Sequence, residues 1–156
     1  MNSQTFLQLF LVLHIAGFAT MVGTVAADAS IYSRLKKHLI TDKGMALTML
    51  ESSAAFPVLI GISAFLIIVT GVGMVSLIPA FGGMLWFRVK MILVLGVIVN
   101  GAIVGRRLVT RLKNLLLENT SESNGKIEVL KGRFSLLYAV QLLLFLAIFI
   151  LSIFKF

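Results

Sequence analysis

Apolar residues run almost unbroken through four stretches of the chain, about 5–27, 53–77, 85–105 and 134–154, and polar residues collect in the segments between them. A bilayer core of about 30 Å needs roughly 20 apolar residues in a helix, because lipid offers no partner to an open backbone amide or carbonyl. Each stretch meets that length. The pattern therefore predicts an all-α integral membrane protein, one domain built as a four-helix bundle. Segment 28–52 has apolar residues at mixed spacing and suits a helical extension of the first span, followed by a turn at Thr41-Asp42-Lys43-Gly44. In segment 106–133 the run RRLVTRLKNLLLEN sets leucines at helical spacing beneath a basic face, which extends the third helix beyond the membrane until a breaker run at 119–125. The stretch 79–84 is Gly-rich and reads as a tight turn.

Composition excludes a water-soluble alternative. Apolar residues make up 59% of the 156 and charged residues 13%, against about 45–50% and 25% in an ordinary soluble domain. The formal charge is +8. In a membrane protein such an excess points to loops held against an anionic leaflet rather than to nucleic acid. Of the 14 Lys and Arg, eleven lie in 28–52 and 106–133, so the bias places both segments in the cytoplasm and both termini outside, as in a bacterial inner (cell) membrane. The residues before the first span, MNSQ, carry no positive charge, and the apolar stretch exceeds the roughly 7–15 residues of a signal core, so it reads as a retained helix. The absence of cysteine removes disulfides, thiolate metal sites and thiol catalysis.

Polar side chains inside a span are costly unless they face protein or water, which makes them the candidates for function. Span one holds Gln8 and His14, span three opens with Trp86, Arg88 and Lys90 and later carries Asn100, and span four has Gln141. His14 either makes one hydrogen bond between helices or ligates a haem iron through a neutral imidazole nitrogen. The shortage of nitrogen and sulfur ligands weighs against a structural zinc site. With the N-terminus outside, His14 lies about 13 Å below the outer surface and Lys90 and Met91 about 7–9 Å below it, at 1.5 Å per residue. Met74 falls near the outer end of span two. These depths predict a pocket between spans one, two and three, bounded by His14, Trp86 and Lys90. The competing reading makes Trp86, Arg88 and Lys90 interfacial anchors. Ala16, Thr20, Gly23 and Ala27 on span one, and Gly61, Ala64 and Gly71 on span two, form small-residue stripes expected at helix contacts. With no Asp or Glu in any span, nothing resembles an ion pathway.

The stretch WFRVKMILVLGVIVNGAIVGRRL, in which Lys90 follows Trp86 by four residues and the apolar run ends in a Gly-Arg pair, resembles the third-helix region of HemJ-type protoporphyrinogen oxidases. LHIAGFATMVG followed by IYSRLKKH resembles that family's first helix, and Pro57 in FPVLIGISAFLIIVTGVGM matches the start of the next. CopD-like small four-helix membrane proteins share the overall pattern. The resemblance covers much of three spans. It implies a bundle that binds haem b and oxidises a porphyrinogen, with His14 as iron ligand, Lys90 and Trp86 as catalytic residues, and Arg88 and Asn100 standing where family members carry further histidines. The second axial ligand is then Met74, Met91, an exogenous molecule or none. The alternative is an accessory membrane protein, a homo-oligomer or complex subunit, in which the same polar residues lock the bundle. A copper-handling role ranks third, since the seven methionines form no dense cluster.

Overall fold

A computed structural model describes residues 2–118 and 120–154, with only the backbone of Ser121. All regular structure among the described residues is helical: α1 (Ser3–His38), α2 (Lys43–Ser52), α3 (Phe56–Leu77), α4 (Leu85–Ile98), α5 (Arg106–Glu118) and α6 (Ser121–Ile153). A 3-10 turn at Pro79–Gly83 joins α3 to α4, and a π-helical segment at Val99–Gly105 joins α4 to α5. The segments Ser3–His38, Lys43–Leu77, Leu85–Glu118 and Glu122–Ile153 are each long and apolar enough to cross a membrane. The protein is thus an all-α, four-span membrane protein.

At 36 and 33 residues, α1 and α6 reach about 54 and 50 Å. Each therefore overshoots a bilayer core by several turns at the end expected to be cytoplasmic. The turn expected at Thr41–Gly44 lies at 39–42, because α2 already begins at Lys43, where Asp42 accepts the Met45 amide at 2.9 Å as its cap. The breaker run expected at 119–125 is not a loop. The helix begins at Ser121, because Thr120 takes an extended backbone and its hydroxyl accepts the Ser123 amide at 3.2 Å. Glu122 in the first turn pairs with Lys126 at 2.7 Å. A good cap and an i,i+4 ion pair outweigh the modest cost of Gly125 in a helix. Asn119 lies outside the described residues.

Two tightly packed pairs make up the bundle. α1 runs along α3, and α4 with its π segment and α5 runs along α6; the pairs meet where α1 touches α6. No Cα of α3 comes within 8 Å of one in α4, although the two are consecutive spans. Small residues permit the α1–α3 approach at the expected Gly71, which meets His14, and at Gly17 and Gly73, which were not expected. A Cβ on Gly17 would sit 3.1 Å from Ile67, and one on Gly73 would sit 2.7 Å from the Phe10 ring. By contrast, Ala16, Thr20, Gly23 and Ala27 are exposed, and a Cβ on Gly23 or Gly61 would meet nothing within 4 Å. The stripe on span one therefore faces away from the bundle; of the glycines expected on span two, Gly71 alone lies against another helix.

Packing divides into two cores. Within the spans Met21, Val25, Val97, Phe145 and Ile148 cluster. Beyond them Tyr32, Leu35, Leu39, Leu112, Ile127 and Phe134 belong to a second core shared by α1, α2, α5 and α6. On the outer faces of the spans large apolar side chains stand open, Phe65 at 70% exposure. A water-soluble protein of this size would not present such a continuous apolar surface, whereas in lipid it is solvated.

Candidate functional site

His14 projects from α1 onto α3. Its Nδ1 lies 2.9 Å from Thr70 Oγ1, and the ring rests over Gly71, where a Cβ would stand 3.4 Å from Cε1. The Thr70 hydroxyl has one proton and donates it to the Leu66 carbonyl at 2.7 Å, the usual back-bond of a helical threonine. With the proton there, Thr70 Oγ1 accepts from Nδ1–H and the neutral ring keeps its lone pair on Nε2; with the hydroxyl turned to donate to Nδ1, the tautomer reverses. The ring is oriented by this hydrogen bond and by contact with Gly71. The first tautomer is the one that metal-ligating histidines adopt, with one nitrogen donating to the protein and a lone pair on the other.

Lys90 lies in the second turn of α4 and donates from Nζ to Ser152 Oγ of α6 at 3.0 Å. No Cα of α4 comes within 8 Å of one in α1, and the hydrogen bonds of His14 and Lys90 run to different helices. Trp86 is buried, its Nε1 donating to Met84 Sδ at 3.0 Å and its ring edge-on to Phe81 and Phe87. Met74 is half-buried one helical turn beyond Thr70, on the α3 face that holds His14. Met91 is 45% exposed and Arg88 is exposed. Met74 is therefore the better placed of the two methionines to approach the histidine.

Asn100 belongs to a different group of residues. Its Nδ2 donates to the Leu137 carbonyl at 3.0 Å and to Gln141 Oε1 at 2.7 Å, and Gln141 Nε2 reaches the Val97 carbonyl at 3.5 Å. A π segment widens the helix here and disturbs the regular i→i+4 bonding. The two amides supply partners across the α4–α6 contact where lipid could not.

The cytoplasmic end expected from the charge pattern holds features that the polar residues of the spans did not indicate. Tyr138 donates to Asp28 Oδ2 at 2.8 Å, and Tyr32 stacks on Phe134 with centroids 4.9 Å apart. These groups line a cavity of about 220 Å³ that also meets Glu51, Lys113 and Pro57. Burial raises the pKa of the Asp28 carboxyl, against the opposing hydrogen bonds from Tyr138 and Ser53. Among the described residues no group of three or more His, Asp or Glu is placed to hold a metal ion.

Compared with known proteins, the chain matches no family model, no curated protein and no solved structure.

Proposed function

We propose that this small polytopic membrane protein binds one haem b through His14 Nε2 and serves in redox chemistry or porphyrin handling of the HemJ type. The observation that carries the reading is the Thr70 hydrogen bond, which fits Nδ1 as donor and Nε2 as the ligating atom. The residues present fit the group in two further respects. Met74 lies one turn from Thr70 on the same face, and Lys90, a cation on α4, suits a porphyrin carboxylate. Haem would supply one-electron chemistry; the protein's part is to fix the imidazole and hold the porphyrin carboxylate. The charge bias supports a cytoplasmic position for segments 28–52 and 106–133, which sets the haem in the outer half of a bacterial inner membrane.

Protein purified from haem-replete cells is expected to show a Soret band. His14→Ala removes the band, and Thr70→Val, which keeps the shape of the side chain but withdraws the acceptor, weakens haem retention by about tenfold or more. Lys90→Ala keeps the band and impairs turnover of a porphyrinogen. If the wild-type protein lacks a Soret band and fails to take up added haemin, the proposal is wrong.

A second reading has its own observation. His14, Lys90 and Asn100 all have hydrogen-bond partners on neighbouring helices, to Thr70, Ser152 and Gln141. An accessory protein, alone or as a homo-oligomer, needs no more than that. It predicts a colourless protein in which His14→Ala lowers stability only.

A further inference from the structure

α5 is divided lengthwise. Leu108, Leu112, Leu115 and Leu116 are buried, and the opposite side presents Arg106, Arg107, Thr110, Arg111 and Asn114 around an open cleft of about 380 Å³. Arg107 and Arg111 are one turn apart and share a face, as do Arg106 and Thr110. Among the described residues the ion pairs are Lys126 with Glu122 and Lys131 with Glu128, so no carboxylate neutralises these three guanidinium groups. Their planar donor forks match the oxygens of a phosphate.

The surface just before the cleft is apolar. Val99, Ile103 and Val104 are 50%, 46% and 40% exposed, and Ile103 precedes Arg107 by one turn of the same continuous helix. Arg106 directly follows the end of the apolar run, and a cation at that point of a spanning helix suits the boundary between hydrocarbon and headgroups. A ligand that satisfies both surfaces must carry an anionic phosphate joined to hydrocarbon chains. A free phosphate or a nucleic acid would use only the cleft.

We propose that the Arg106–Asn114 face is a binding site for an anionic glycerophospholipid, with the phosphodiester held by Arg107 and Arg111 and an acyl chain laid along Val99 and Ile103. The lipid is a resident ligand of the fold at this point, in addition to the solvent around it. This inference is independent of haem.

The test is native mass spectrometry of the full chain released from nanodiscs of mixed phosphatidylglycerol and phosphatidylcholine. Wild-type protein should retain one phosphatidylglycerol in preference to phosphatidylcholine. Arg107→Gln with Arg111→Gln should lower that retention by about tenfold or more. Lys36→Gln with Lys37→Gln removes the same charge from the exposed end of α1 and should leave retention within about twofold. Arg107→Lys with Arg111→Lys keeps the charge, loses the fork, and should fall between. Millimolar glycerol 3-phosphate should not displace the lipid. Equal losses in the two Gln pairs would reduce the effect to diffuse attraction and overturn the site. Displacement by glycerol 3-phosphate, or equal retention of the two lipids, would overturn the assignment to a phospholipid.

Discussion

His14 draws its chemical identity from a residue 56 positions away. The two share one hydrogen bond, and the side on which the Thr70 proton rests, the Leu66 carbonyl or Nδ1, sets the tautomer. The same dependence holds between Asn100 and Gln141. Replacing either with Leu leaves the other amide with an unmet bond in an apolar setting, at a cost of about 0.5–2 kcal/mol. The double replacement should cost less than the sum of the singles, because the second removes the group that the first orphaned. Reversible unfolding in mixed micelles measures both. Sequence reading found His14, Lys90, Asn100 and Gln141 from their scarcity in apolar runs. It could not pair them, since pairing depends on the rotation of each helix about its axis, which nearly uniform apolar surroundings do not encode. Tyr138 and Asp28 escaped notice because one is common near membrane boundaries and the other sits just past the apolar run.

The apolar stretches located the helices well, and the polar ends less well. The third span was expected over 85–105, and α4 with its π segment ends at Gly105; the fourth was expected from 134, and α6 starts at Ser121. Apolar length reports where a helix enters lipid, whereas capping at Thr120 determines where it begins. Glycines show the same gap between composition and placement. Gly61 faces open space, so Gly61→Ala should stabilise by about 0.5–1 kcal/mol through backbone entropy alone. Gly73→Ala should lose that gain, since the new methyl displaces the Phe10 ring, and Phe10→Ala should restore it. A thermal unfolding series in one detergent separates the three.

At the scale of the whole molecule, the core outside the spans is the better filled. Leu39, Leu112 and Ile127 are almost fully enclosed there, so Leu112→Ala should cost about 2–5 kcal/mol. A comparable truncation of Phe65 on the lipid face should change stability far less; the two can be compared in a single denaturation experiment. Orientation follows from charge and can be tested with thiols, because the chain has no cysteine of its own. Cysteines introduced at Lys37 and Asn124 should resist an impermeant reagent in intact cells while one at Gly82 reacts. The reverse pattern would place the His14 end in the cytoplasm. Span number and the basic segments were legible in the sequence. Spans one with two and three with four pair as consecutive helices do in a short-looped bundle; the gap between spans two and three, where α3 and α4 stay apart, was not legible.

That separation bears on how the chain is made. Helices leave the translocon in order, and α3 finds α1 already in the bilayer. α4 has no Cα within 8 Å of α1 or α3, and Lys90 and Asn100 hydrogen-bond to Ser152, Leu137 and Gln141 on the fourth span. Until α6 arrives, a cation and an amide wait in lipid without their final partners. A nascent chain that stalls before α6 should therefore be a substrate for membrane quality control, while one that stalls after α3 leaves a paired hairpin.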